Sequence, residues 1–467
     1  MKGVEKSIEE ANNMRKIRKT LALVLALLLT LMAMPSLAQE AIPTTAPAPA
    51  GRRVVSFWHC FGGKIGEAVQ AVVDGYNASQ DAIWVEATYQ GAYDDCLTKL
   101  KAALPAGNGP DMFQMFELGT TYLVGSGYCV PFQDLLDADP YINLDDIEPA
   151  LRNYYTYNGK MVCIPFNPST PIMYFNKTAF KEAGLDPENP PRTFDEIAAV
   201  ADKLTVREGD KVTRHAMGLY IYGWFYEAFL AGLDALYVNS DNGRTARATA
   251  IDYDQNGAGK TILEKWKKLV DDGVIYNFGT NGNDAQAAFV AGQTTMMLAS
   301  TASLTTITAA VGDAFEVGTA YLPSMAEKPT GGIIIGGANL WVVKNKDAQR
   351  QADAWDFVKY ATSAEVSAKF SQATGYFCAN TKAYETESMK SYLAEHPNFA
   401  TAINQLHASP DSYATRGASV GVMPELRAIF QQYMELVLQG AMSVDDALVE
   451  MASEGNAAIE NYNAANP

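Results

Sequence analysis

PFNPSTPIMYFNKTAFKEAGLDPENPPRTFDEI, residues 165–197, decides the fold. Within it PIMYFN (171–176) has the length and apolar character of a buried strand, and KTAFKEAGL (177–185) reads as a helix closed by Gly184. After a proline-rich turn, Thr193 stands as the N-cap of TFDEIAAVADKLT, and Glu196 three residues on completes a capping box. A strand that hands over at once to capped helices is the signature of an α/β protein.

The same alternation extends in both directions. Upstream, VVSFWHC (54–60) reads as a strand, EAVQAVVDGYNAS (67–79) as a helix ending near Gly75, IWVEATYQ (83–90) as a strand, DCLTKLKAALPAG (95–107) as a helix and DMFQMF (111–116) as a strand. Downstream, GGIIIGGANLWVV (331–343) is a glycine-flanked apolar strand followed by the helix AQRQADAWDFVKYAT (348–362). This order predicts mainly parallel sheets covered on both faces. A chain of 467 residues exceeds what one core usually organises, so two α/β lobes of interleaved segments, joined by a few short connections acting as a hinge, are expected.

The formal charge is −17, and the first 38 residues carry six Lys/Arg against three Glu, so their removal leaves −20. From Met14, MRKIRKTLALVLALLLTLMAMPSLAQEA has a basic start, an apolar run and small residues at Ser36 and Ala38, the pattern of a secretory leader (1–38) cut after Ala38. No Cys follows the apolar run, so a soluble periplasmic protein is expected rather than a lipid-anchored one. Residues 39–53, rich in Pro, Ala and Thr, read as a flexible spacer. So acidic a chain repels nucleic acid and anionic membranes. An anionic ligand would have to be held by backbone amides, hydroxyls and one or two Arg. The five cysteines allow at most two disulfides, show no metal-like spacing with any His, and read mostly as buried thiols. No cofactor or metal is expected.

Three segments mimic catalytic or ligand-binding motifs and fail on context. GASVG (417–421) matches a nucleophile elbow around Ser419, yet a polar, turn-like stretch precedes it and Pro424 follows. NGAGKT (256–261) lacks the first P-loop glycine, which falls at Asp254. DYDQNG (252–257) opens like a calcium loop, but its twelfth position is Leu263. A polar turn capping a helix is the simpler account of that segment.

The run YFNKTAFKEAGLDP (174–187) resembles the extracellular solute-binding proteins of sugar-type ABC importers. SFWHC, FGGKIGEAV, YQGAYDDCL, GNGPDMFQMFELGT, ASTASL, IIIGGANLWV, ATGY and GVMPELR are similar, in order and spacing, to the branch that captures sn-glycerol-3-phosphate and its phosphodiesters. The resemblance spans roughly residues 54–461. It implies a two-lobed, Venus-flytrap α/β fold with residues 54–167 and 331–377 in lobe 1 and residues 168–330 and 378–467 in lobe 2. It also implies a monomer that closes on a small molecule and is recognised by a membrane permease, with no chemistry done on the ligand. Carried over position by position, the ligand contacts fall on Tyr93, Glu117, Ser169, Ser300, Gly337, Tyr376 and Arg427. The chemistry agrees: an acceptor-only phosphate wants hydroxyls, a glycine amide and an Arg, while Glu117 suits glycerol hydroxyls.

Departures from the family pattern point at the ligand's head group. Relatives place Trp rings over the ligand, and here GLYIYGWFYEAF (218–229) offers Trp224 alone, among Tyr220, Tyr222, Phe225 and Tyr226. One fewer Trp leaves room for a diester. Pro168 and the pair Phe377-Cys378 also depart from the pattern, both at expected crossings between lobes. An oligosaccharide, stacked on Trp58 and Trp224, is the alternative ligand; a secreted hydrolase is a more distant one.

Overall fold

A computed structural model describes residues 42–345 and 347–466. The leader expected at 1–38 lies outside the described residues. From Pro43 onward the chain forms one compact unit built around two mixed sheets.

The first sheet runs in the order Ile83–Tyr89, Arg53–His59, Met112–Phe116, Gly336–Val343, Cys129–Val130, with Ile164–Ser169 also paired to Gly336–Val343. The second runs Ile275–Asn277, Lys211–Leu219, Thr294–Ser300, Pro171–Asn176, Val317–Tyr321. Each keeps a parallel half, but Gly336–Val343 runs antiparallel to its neighbours in the first sheet, as Pro171–Asn176 does in the second. The sheets are therefore mixed rather than mainly parallel.

The stretch at 164–176 joins them. Ile164–Ser169 belongs to the first sheet and Pro171–Asn176 to the second, and every residue of both strands is buried. A single residue, Thr170, separates the sheets. A second crossing leaves Val317–Tyr321 and reaches Gly336; Gly331 and Gly332 still donate to the carbonyls of Gly232 and Ala231 in the second lobe. The predicted strand at 331–343 thus begins only at Gly336.

Residues from 378 onward, expected in the second lobe, stay on the first for another turn and a helix. Cys378, Ala383 and Met389 bury against Ala368 of the helix Ala364–Thr374. The chain crosses back near Asn398, whose side-chain amide donates to Val317 O at 2.9 Å. The two departures from the family pattern touch here, with Phe377 N donating to Pro168 O at 3.1 Å.

Two further readings change. The helix expected to end near Gly75 runs from Gly63 to Ser79, and Gly75 serves another purpose: a Cβ there would stand 2.6 Å from the Tyr360 hydroxyl. The spacer, where described, is partly tied down: Thr45 Oγ1 accepts from Ala87 N at 3.0 Å, and Trp84 Nε1 donates to Ala46 O at 3.1 Å. The capping box is present as predicted, Glu196 N donating to Thr193 Oγ1 at 3.1 Å.

A strained clasp links the lobes away from the hinge. Ser240, Asp241, Asn242 and Gly243 all have left-handed backbones, with φ of 55°, 54°, 59° and 71°. Each of the first three costs on the order of 1–2 kcal/mol. Asn242 offsets this by accepting from Tyr237 N at 2.7 Å and donating to Tyr413 O at 2.8 Å. Arg244, next in sequence, donates to Tyr154 O of the first lobe at 2.8 Å and lies 4.5 Å from that ring's centre.

Candidate functional site

The cleft begins with a directional hydrogen-bond chain in the first lobe. Cys60 N donates to Gln114 Oε1 at 3.0 Å, Gln114 Nε2 to Asn167 Oδ1 at 2.6 Å, and Asn167 Nδ2 to Tyr93 Oη at 3.2 Å. Gln114 and Asn167 are fully buried and have no water to fall back on. Because Tyr93 Oη accepts from Asn167, its own proton is left to donate onward. Its ring stacks on Phe116 at 4.9 Å, which fixes its direction.

At the other side of the cleft Arg427, on the helix Met423–Leu438, is buried between two carboxylates. Its Nε and Nη2 form a fork with Glu227 of the helix Gly223–Gly232, and Nη2 also donates to Glu117 Oε1 of the first lobe at 3.1 Å. The sequence reading made Arg427 a ligand contact and gave it no protein partner; the structure ties it into a buried triad spanning both lobes. Burial, partly offset by Arg427, pushes the Glu117 carboxyl up to about 7. Nη1 makes no hydrogen bond to the described residues and is the nitrogen left for the cleft.

All eight residues singled out from the sequence line one cavity of about 680 Å³ between the lobes: Tyr93, Glu117, Ser169, Trp224, Ser300, Gly337, Tyr376 and Arg427. Ser300 Oγ accepts from Ala302 N at 3.1 Å, which leaves its hydroxyl proton free to donate. Tyr376 sits between Phe61 and Phe370, at 6.0 and 6.1 Å. Gly337 has φ +93° just before the register shift at Ala338–Asn339, and a Cβ there would lie 2.1 Å from Asn167 O. Its glycine is thus demanded by the fold as well as open to the cleft.

Trp224 packs on Gly336 and donates to Ile335 O at 3.3 Å. Tyr220 and Tyr222 line the cavity, whereas Phe225 and Tyr226 are fully buried in the second lobe. Trp58, proposed as a sugar platform, is not among the lining residues. The second half of the segment 218–229 belongs to the helix Gly223–Gly232. Sequence reasoning missed Glu227, Gln114 and Asn167. A lone carboxylate within GWFYEAFLAG was the available signal, since a buried Glu needs a partner.

The catalytic mimics find ordinary roles. Ser419 donates to Tyr157 Oη at 3.0 Å, with no strand before it. Asn256 precedes Gly257, the N-cap of the helix Ala258–Asp271, and its Oδ1 accepts from Ala258 N at 3.0 Å. All five cysteines are buried and free.

With this geometry in view, comparison with known proteins is informative. Residues 71–401 match the model of the bacterial extracellular solute-binding proteins. The chain belongs to that family. Among its relatives is the sn-glycerol-3-phosphate-binding periplasmic protein UgpB of Yersinia pseudotuberculosis, 30% identical over 420 residues, covering 88% of this chain and 93% of that protein. UgpB from Mycobacterium tuberculosis, solved in complex with glycerophosphocholine, superposes with a TM-score of 0.72 at 21% identity over 88% of this chain and all of that one. The cyclic α-maltosyl-1,6-maltose binding protein of Arthrobacter globiformis gives 0.70 at 26% identity, covering 88% and 100%. The fold is the two-lobed α/β architecture of such solute-binding proteins. No helix among the described residues is long and apolar enough to cross a membrane.

Proposed function

We propose that this protein is the ligand-capturing subunit of an ABC importer, exported to the periplasm and acting as a monomer. Its ligand is sn-glycerol-3-phosphate or, in preference, one of its phosphodiesters. The observation that carries this reading is the convergence of donors on one cleft: Arg427 Nη1, the hydroxyls of Tyr93, Ser169, Ser300 and Tyr376, and the backbone at Gly337. A cluster of hydroxyl, amide and guanidinium donors suits a phosphate group. Glu117 supplies the acceptor for glycerol hydroxyls.

Charge sets the preference within the class. Among the described residues Arg427 is the only cation lining the cleft, and it is already shared by Glu117 and Glu227, with Asp94 also on the wall. A phosphomonoester near −2 meets this acidic surrounding at a greater penalty than a diester at −1. The ligand is bound and released unchanged, the lobes closing around it and the closed form engaging a permease.

Calorimetric titration of the chain from Gln39 onward with glycerol-3-phosphate, glycerophosphocholine and maltose tests this reading. Binding of a phosphate compound with maltose silent is expected. Binding of maltose alone would keep the fold and discard the phosphate site. That second reading, an oligosaccharide receptor, draws on Tyr220, Tyr222 and Trp224 along the cavity, since aromatic faces hold sugar rings. Ser300→Ala is the diagnostic variant. It removes a donor to phosphate without disturbing the Arg427 triad, and its expected effect is about 1 kcal/mol, roughly fivefold in affinity.

A further inference from the structure

The donors just described are only part of the polar lining of the cavity. At about 680 Å³ it is the size that encloses a drug-sized ligand, well beyond a three-carbon phosphate. One stretch of the lining, at the end where the second lobe contributes the start of the helix Gly282–Val290, is polar as well. There Thr280, Asn283, Gln286 and Ser303 line the space, and none of these side chains hydrogen-bonds to the described residues. Asp284, the acidic residue of that helix turn, accepts from Asn281 Nδ2 at 2.7 Å instead and is not part of the lining. Tyr220 closes this end, its ring pressed so tightly on Gly282 that a Cβ there would meet it at 2.9 Å.

We infer that this end is a subsite for an uncharged, hydroxyl-rich alcohol, so that the preferred ligand is a glycerophosphodiester of a polyol rather than of a quaternary ammonium. The inference rests on the glycerol phosphate reading and sharpens it. Amides and hydroxyls each donate and accept, which matches hydroxyl groups that do the same, and Tyr220 supplies a flat apolar face for carbon-bound hydrogens. A choline group can use none of those donors. The faces of Tyr220 and Tyr222, 5.8 Å apart, would serve the carbon-bound hydrogens of a polyol as well as a cation, so the unpartnered amides and hydroxyls are what separates the two head groups.

The experiment is a parallel calorimetric titration of the chain from Gln39 onward with glycerol-3-phosphate, glycerophosphocholine, glycerophosphoglycerol and glycerophosphoinositol. It is repeated on the Asn283→Ala/Gln286→Ala double variant. Both substituted positions leave the Asn281 cap in place, and circular dichroism of the variant verifies its fold. The polyol diesters are expected to bind about tenfold tighter than glycerophosphocholine, the yield of two or so hydrogen bonds, and the double variant brings that ratio toward one. Glycerophosphocholine binding as tightly as the polyol diesters overturns the subsite while leaving the glycerol phosphate reading intact. A ratio that survives the double variant also overturns it. Silence from all four phosphate compounds removes the underlying reading, and the subsite with it.

Discussion

On the first-lobe wall of the cleft, Tyr93 is the last link of a chain in which each amide from Cys60 through Gln114 to Asn167 is spoken for. On the second-lobe wall, Thr280, Asn283 and Gln286 have no partners within the described protein. The first wall is fixed before any ligand arrives, because its buried polar atoms tolerate one arrangement only. The second wall, where Thr280 and Asn283 are exposed and Gln286 half-buried, leaves its polar side chains to solvent until something occupies it. A receptor built this way recognises a common core strictly and its substituent loosely. Arg427 stands between the two, tied to Glu117 of one lobe and Glu227 of the other.

The largest expected effect breaks that tie. Arg427→Ala leaves two carboxylates buried together, so urea denaturation should show a loss of about 3–5 kcal/mol and binding should vanish along with stability. Arg427→Lys should restore part of the stability but little of the affinity, because a point charge cannot reproduce the fork. A Lys variant as good as Arg in both measurements would show that charge alone matters there.

Next in size is Asn167→Ala, which strands Gln114 and frees Tyr93. A destabilisation of about 1–3 kcal/mol and a weaker ligand are expected together. If affinity is lost while the denaturation midpoint stays put, the chain orients Tyr93 without supporting the fold.

The pH dependence follows from Glu117. Its carboxyl holds its proton up to about 7 in the folded state, against an ordinary value of 4.5. The stability it contributes is therefore fully present below about 4.5 and is lost as pH rises through 7. An anionic ligand prefers the neutral carboxyl, so affinity for a diester should fall above pH 7, by up to about tenfold per unit. A diester is the right probe because its phosphate does not titrate in this range. Glu117→Gln should flatten both profiles; a neutral sugar should show no such slope in the parent protein.

The smallest effect touches the adaptable wall. Gly282→Ala pushes on the Tyr220 ring and should shift diester affinity by about 1 kcal/mol, leaving the urea midpoint nearly unchanged. A larger change would mean that this wall is less forgiving than its unpartnered side chains suggest.

The sequence displayed features that depend on near neighbours, such as the Thr193 cap and the strand at 171–176, while the eight residues that line the cleft were legible through the resemblance to the solute-binding proteins rather than from local pattern. What it hid depends on distant packing. Gly75 looked like a helix stop because nothing local announces Tyr360. The packing of the segment 378–395 on the helix Ala364–Thr374 was invisible because it runs through Ala368, Ala383 and Met389, three ordinary apolar residues. Glu227, Gln114 and Asn167 lie inside strongly apolar runs, where polarity was the clue and the partner stayed invisible until the chain folded.

The turn at 240–243 bears on how variation in this protein would be interpreted. Four successive positive φ angles admit little beyond Gly, Asn, Asp and Ser, although none of these residues lines the cleft. In a saturation mutagenesis screen those positions would stand out as intolerant, alongside Gly337 and Arg427. Ranked by intolerance alone, they would be mistaken for ligand contacts. Separating the groups takes a binding readout on the surviving folded variants, where substitutions at 240–243 should lower the yield of protein and leave its ligand preference as it was.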